Sequence, residues 1–383
     1  MRARTGSSMA RALTGVCAAA VLTIATGTGI SAAQPGSIQE RLRVLLDDTV
    51  RGSDVPGAQL VFTERGGEFR ITGGVGDLGT GAGFPDDAQV RIASNTKVFV
   101  AAVVLQLAGE GRIALDEPLE RYMPGEVRGP GGDGAVITVR NLLQHTSGIP
   151  DYLSELNLES VDALRRARPP GELIGLGLAR PAEFEPGSRA QYSNTNYLLA
   201  GELVHRVTGV PVGVEVTRRI LLPQGLNDTY WPLAPVEQVL RGPHARAYHQ
   251  FGDARVDVTD IDPGWGLPDG AMVSTGADLN RFFMALLSGQ VLGPAQLAEM
   301  QRTVPSGDLR RQEEFGLGLF GWVTSCGLQA WGHGGTMHGT FVYGGATADR
   351  SITVSMNQIP DILAARTGGV DLDEVVDTAL CSV

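Results

Sequence analysis

Ile92-Ala93-Ser94-Asn95-Thr96-Lys97-Val98-Phe99-Val100-Ala101-Ala102-Val103-Val104-Leu105 holds the only lysine of a 383-residue chain that otherwise takes its cations from 30 arginines. From Val98 to Leu105 the run is wholly apolar, too continuous for a surface helix and too short to span a membrane. The stretch therefore predicts a helix buried in the core. Ser94 falls near its start, and Lys97 lies one turn later on the same side. A hydroxyl there feels the positive end of the helix and its free backbone N–H groups. A desolvated amine gives up its proton more readily than a hydrated one, whereas a guanidinium stays protonated. That difference is a physical reason to keep lysine at this one place. Ser-x-x-Lys alone is weak, because the serine could equally be a helix cap.

Working outward, Ser37–Arg51 reads as an amphipathic helix, and Ala58–Thr63, Phe69–Val75 and Gln89–Ala93 as a meander of strands. The middle predicts helices at Val98–Ala108, Val139–His145, Asn196–Thr208 and Asp278–Leu287. Pro- and Gly-rich loops at Gly129–Gly134, Arg168–Gly171 and Pro263–Gly270 separate them. Strands return at Phe315–Val323, Thr340–Ala346 and Ser351–Met356, and Asp371–Leu380 closes as a helix. Strands at both ends imply an α+β fold. Its mostly antiparallel sheet is built from N- and C-terminal segments and flanked by helices, with an all-helical region inserted at about 110–265.

Two further clusters carry chemistry. Gln191-Tyr192-Ser193-Asn194-Thr195-Asn196-Tyr197 opens a helix, with Ser193 or Asn194 as a credible cap. If Tyr192 lies beside the Ser94–Lys97 pair, the ammonium stabilises its phenolate and it can act as a base, with Asn194 bridging to Lys97. Trp331-Gly332-His333-Gly334-Gly335-Thr336 precedes the strand from Thr340. It reads as a glycine bulge or as a site where another backbone approaches closely.

In the order Ser-x-x-Lys, Tyr-x-Asn, His-x-Gly, the three resemble the penicillin-recognising serine hydrolases. Tyr-Ser-Asn is similar to the class C β-lactamase branch, and the histidine of the third motif to its secreted D-alanyl-D-alanine carboxypeptidases. Val139–Gly148, Glu185-Pro186-Gly187, Gly270–Thr275 and Phe315-Gly316-Leu317-Gly318 add to the likeness, which spans about Ser37 to Cys381. The resemblance implies a β-lactamase/transpeptidase-like fold with Ser94 as nucleophile and Lys97 as its proton partner. Tyr192 would be the general base, Asn194 would position lysine and substrate, and His333 would bond to the tyrosine. Gly335 and Thr336 would bind substrate, the Thr336 and Ser94 N–H groups forming an oxyanion hole. Trp265 is similar to a rim aromatic, or is a packed loop residue. The expected substrate is a cell-wall peptide ending in D-Ala-D-Ala, with β-lactams as inhibitors or substrates and no cofactor. An esterase, a β-lactamase or a non-turnover penicillin-binding sensor is the alternative. The family's carboxypeptidases carry an arginine after Gly-Leu-Gly-Leu to hold the substrate carboxylate; here Phe320 follows Gly316–Leu319.

Composition bounds the rest. A net charge of −11 disfavours wrapping nucleic acid. Arg2, Arg4 and Arg11 precede an apolar stretch from Ala12 to Ile30 and Ser31-Ala32-Ala33, with no acid before Glu40. This predicts a secretory signal over 1–33, a retained anchor being the alternative. Its removal would move the charge to −14, with three arginines lost and no acid. The mature chain, 34–383, would be a secreted monomer without a stable membrane anchor. Its two remaining cysteines, Cys326 and Cys381, suggest a disulfide closing about 55 residues, or two separate thiols. His244 and His249, like His333 and His338, have no metal-ligand spacing, so no metal site is expected.

Overall fold

The structure is a computed structural model that describes residues 36–382 except 234–236, 263, 307–313 and 361–371. The proposed signal segment therefore lies outside the described residues, as does Pro263. Contacts gather Ser37–Val383 into one unit.

An eight-stranded sheet organises it. Its strands are β1 (Gly57–Glu64), β2 (Gly67–Gly74), β3 (Val304–Pro305), β4 (Glu314–Phe315), β5 (Phe320–Val323), β6 (Gln329–Met337), β7 (Thr340–Ala346) and β8 (Arg350–Met356). The order is β2-β1-β8-β7-β6-β5-β4-β3, with every pair antiparallel. Leu60 sits opposite Val354, so N- and C-terminal segments lie side by side in the sheet.

Alternation along these strands gives the sheet two apolar faces. Leu60, Phe62, Ile352, Val354 and Met356 pack against α1 (Ile38–Gly52) and a helix at Leu372–Leu380. Ser37 and Glu40 close a capping box at the start of α1, a device contributing about 1 kcal/mol. Cys326 and Cys381 are bonded, tying the β5–β6 turn to the end of the C-terminal helix. On the other face Asn280 donates to the Val61 carbonyl at 2.9 Å and accepts from Ser351 and Thr353. This fixes the helix Gly276–Leu287 to β1 and β8. Beyond it lies α2 (Thr96–Gly109), whose residues from Val98 to Leu105 are all fully buried.

Some expectations shift. Gln89–Arg91 is not a third strand of the meander but pairs with Val273–Thr275, because β8 occupies the other edge of β1. The Phe315–Val323 segment is two strands, since Gly318 takes a left-handed φ of +86° and packs its Cα against α2. The inserted region is not purely helical, containing the ribbons Arg128–Gly129/Gly132–Asp133 and Tyr248–Phe251/Ala254–Asp257. The Trp331–Thr336 glycines do not form a bulge; they sit inside β6. A Cβ on Gly332 would come within 2.4 Å of the Gly344 carbonyl oxygen, so the glycines record tight strand packing.

Candidate active site

Ala93–Asn95 forms a single tight turn that runs straight into α2. Ala93 adopts φ +46°, a left-handed value uncommon for a residue with a Cβ. Ser94 follows, half-buried, where the opening N–H groups of the helix lack intrahelical acceptors. Lys97 is fully buried. Its Nζ donates to Ser94 Oγ at 3.0 Å and to the Asp269 backbone carbonyl at 2.5 Å.

Tyr192 lies on the segment leading into α3 (Thr195–Thr208). Its ring centroid is 5.2 Å from Lys97 Nζ, and Tyr197 stands 5.6 Å from the same atom. The ammonium therefore sits among aromatic faces, which attract cations. His145 stacks on Tyr192 at 4.3 Å, with Phe315 and Phe320 edge-on at 6.4 Å. The fold thus brings Tyr192 to the Ser94–Lys97 pair from a segment about 95 positions away.

Asn194 and His333 reach the same place with different partners from those expected. Asn194 holds the cap position of α3, but its side chain makes no capping bond. Its Nδ2 donates to Asp151 Oδ2 at 2.8 Å. The bridge from Asn194 to Lys97 is not made, and the Asp269 carbonyl takes that position. His333 is buried in β6, its centroid 6.2 Å from Tyr192, and stacks on Phe320 at 4.4 Å. Its Nδ1 lies 2.5 Å from the Gly334 carbonyl oxygen. A carbonyl only accepts, so Nδ1 carries the proton and Nε2 is left an acceptor. That Nε2 is buried without a partner, so the expected bond to Tyr192 is absent. Burial, and then the charge of Lys97, push the His333 pKa down to about 3.

Gly335 and Thr336 form the strand wall. A Cβ on Gly335 would stand 2.2 Å from the Ile92 carbonyl oxygen, so only glycine lets β6 lie against the turn that carries Ser94. The β5 pairing stops at Gly332, leaving the outer edge of β6 beyond it unpaired with β5. Thr336 is exposed and lines a pocket of about 230 Å³ with Ser94, Asn194, Tyr152, Leu267, Trp265 and Asp269. Trp265 lines this pocket as a packed loop residue: 8% exposed, φ +48°, with its indole N–H donating to the Leu164 carbonyl at 2.7 Å.

Three residues given no role from sequence belong here. His145, at φ +56°, is held by the Ser193 N–H donating to Nδ1 at 3.2 Å. Burial first, then Lys97, depress its pKa well below 6.5. Tyr152 donates to Asp269 Oδ2 at 2.9 Å, and burial above all raises the Asp269 pKa. His145 lay within a stretch already noted for its likeness. Tyr152 and Asp269 are 117 residues apart, and no local signal joins them. Of the four non-glycine residues at positive φ among the described residues, three (Ala93, His145 and Trp265) border the site; such strain gathers where surroundings over-determine a conformation.

A serine held by a buried amine beside a phenol and a free strand edge is equipped for acyl transfer. Among the described residues no group of three or more His, Cys, Asp or Glu is placed to hold a metal, and no helix is long and apolar enough to cross a membrane. A family model described as Beta-lactamase matches residues 42–369. The fold is similar to a D-stereospecific amidohydrolase from Streptomyces sp. (TM-score 0.80, 33% identity, 90% of this chain and 99% of that one). It is also similar to a D-amino acid amidase from Ochrobactrum anthropi SV3 (TM-score 0.77, 26% identity, 90% and 97%). Esterase EstB of Burkholderia gladioli is 34% identical over 204 residues, 50% of this chain and 51% of that protein. The chain thus spans about half the length of that curated relative.

Proposed function

Because the chain belongs to the beta-lactamase family of serine hydrolases, we propose that it cleaves amides or esters of D-configured acyl groups through a Ser94 acyl-enzyme. Its preferred leaving group carries no terminal carboxylate. One observation carries the leaving-group assignment. By the family resemblance, Phe320 follows Gly316–Leu319 where the carboxypeptidases carry their arginine, and it packs on His333 at 4.4 Å and Phe315 at 5.1 Å. No lysine or arginine is among the described residues lining the pocket. A missing charge-assisted contact costs about 1.5–3 kcal/mol, roughly ten- to a hundredfold. The D-configuration is supported by the two structural neighbours whose names specify it.

In this reading Ser94 Oγ attacks the carbonyl carbon while its proton passes to the Tyr192 phenolate, which the Lys97 ammonium stabilises. The Ser94 and Thr336 N–H groups take up the developing oxyanion. The phenol returns a proton to the departing nitrogen or oxygen, and water releases the acyl group. The enzyme works without a cofactor, as an exported monomer; the leader-like residues 1–33 and the Cys326–Cys381 bridge support an oxidising compartment. A D-Ala-D-Ala carboxypeptidase is the second reading, favoured by the histidine of the third motif. The test compares the purified protein with Ser94→Ala on a D-amino acid amide, a short acyl ester, a D-Ala-D-Ala peptide and a cephalosporin. Ser94-dependent turnover of amide and ester well above that of the peptide is expected. Faster release of D-Ala would install the second reading, and equal rates for both proteins on every substrate would dispose of the enzyme.

A further inference from the structure

We infer that the acyl group carries a free α-ammonium, anchored on the Asp269 carboxylate in the wall of the Ser94 pocket. This rests on the acyl-hydrolase reading and narrows its substrate class. The charge distribution of the pocket leads to it. Asp269 is the one carboxylate among the described lining residues. The lining imidazole, His338, is held uncharged at neutral pH: burial and then His249 push its pKa down to about 4.

The carboxylate is placed for a ligand. Asp269 is 7% exposed. Its Oδ2 accepts from the Tyr152 hydroxyl, itself a lining residue, and apart from that bond the carboxylate accepts from the backbone N–H of Asp269 itself. Burial works against an isolated charge there, while the Lys97 charge and the Tyr152 bond work for it. A substrate ammonium would supply the rest of the compensation.

Position relative to the nucleophile fits as well. An α-nitrogen lies about 2.5 Å from the carbonyl carbon under attack, by standard bond lengths and angles. It must therefore settle close to Ser94. Lys97 Nζ bonds both Ser94 Oγ and the Asp269 carbonyl, so residue 269 is two hydrogen bonds from the attacking atom. The same lysine would repel an incoming ammonium. Asp269 offsets that repulsion, and so does Asp151, whose charge is felt at Asp269 and which holds the lining residue Asn194.

The experiment measures kcat/KM for D-phenylalanine amide and for its N-acetyl derivative, with a neutral nitrophenyl ester beside them. The wild-type protein is expected to prefer the free amine at least tenfold. That preference should fade as pH rises past the amine's own pKa, near 8. Asp269→Asn should bring the two amides to within about threefold of each other, and Asp269→Glu should restore part of the gap. Should Asp269→Asn not fold, the pH dependence of the wild-type ratio decides. Ser94-dependent ester hydrolysis with equal or no turnover of the two amides overturns this inference alone, as does a preference that survives Asp269→Asn or stays flat with pH. Absence of Ser94-dependent turnover on all three substrates overturns the acyl-hydrolase reading, and this inference with it.

Discussion

Replacing Gly335 and, separately, Gly334 with alanine tests whether β6 must touch the turn that carries Ser94. The two are adjacent, so helix and strand propensities cancel in the comparison. At Gly334 an added Cβ meets Tyr343 Cδ2 at 3.5 Å, ordinary contact. At Gly335 it meets the Ile92 carbonyl oxygen at 2.2 Å and Asn95 Nδ2 at 2.9 Å. Non-bonded atoms need roughly 3.5 Å, so strand and turn must separate by about 1 Å. Overpacking of this kind costs about 1–3 kcal/mol, a fall in melting temperature of several degrees. The larger effect is on turnover. A 1 Å displacement between the Thr336 edge and Ser94 spoils the geometry of attack and should lower kcat/KM by about 10²-fold. Ester hydrolysis and thermal unfolding of both variants are the assays, and Gly334→Ala should stay within about threefold of wild type. A Gly335→Ala protein with near-normal kcat/KM, or two variants with equal losses, would show that the contact between β6 and the Ser94 turn does not set the geometry of attack.

Lys97→Met keeps a similar volume in the core and should fold, yet lose roughly 10²–10⁴-fold in acylation, read by mass spectrometry of the acyl-enzyme; full labelling at wild-type rate would remove lysine from the proton path. For His333 the sign follows from its depressed folded pKa of about 3 against 6.5 in the unfolded chain. Between those values the unfolded state binds the extra proton, so stability falls as pH drops below 6.5, by up to about 1.4 kcal/mol per unit, and levels off above it. His145 acts in the same direction, while the raised Asp269 pKa acts oppositely as pH climbs above 3.8. Urea midpoints of His333→Gln between pH 4.5 and 7.5 should show a shallower slope than wild type, and an unchanged slope would count against a buried neutral imidazole. Reducing the Cys326–Cys381 bridge, which spans 55 residues, should cost about 4 kcal/mol on the chain-entropy model. The ratio of activities among substrates should stay the same, because the bridge lies at the α1 side of the sheet.

The pairing of Ser94 with Lys97 was legible because both sit at one helix start, where spacing fixes geometry. So was the antiparallel sheet, since Leu60-Val61-Phe62 and Ile352-Thr353-Val354 have the period of strands. Partners set by tertiary packing were not legible. Asn194 looks free to meet Lys97 in sequence, but Asp151 captures its amide. The phenol-facing role of His333 depended on which ring nitrogen holds the proton, and a neighbouring carbonyl decides that. Glycine-rich Trp331–Thr336 left a bulge and a close approach of another backbone both open, because local propensity disfavours a regular strand there. Crowding by Gly344 and Ile92 overrides it.

The pairing of β1 with β8 has a consequence for how this protein comes into being. Gly57 is hydrogen-bonded to Asn357 across 300 positions of sequence. During synthesis the first hairpin leaves the ribosome long before its central neighbour exists, and it must wait, half-made, with an open edge. Ser94 and its lysine also emerge well ahead of the His333 strand that walls their pocket, His333 lying 239 positions after Ser94 (333 − 94). The growing chain thus carries no complete pocket until that strand has been made.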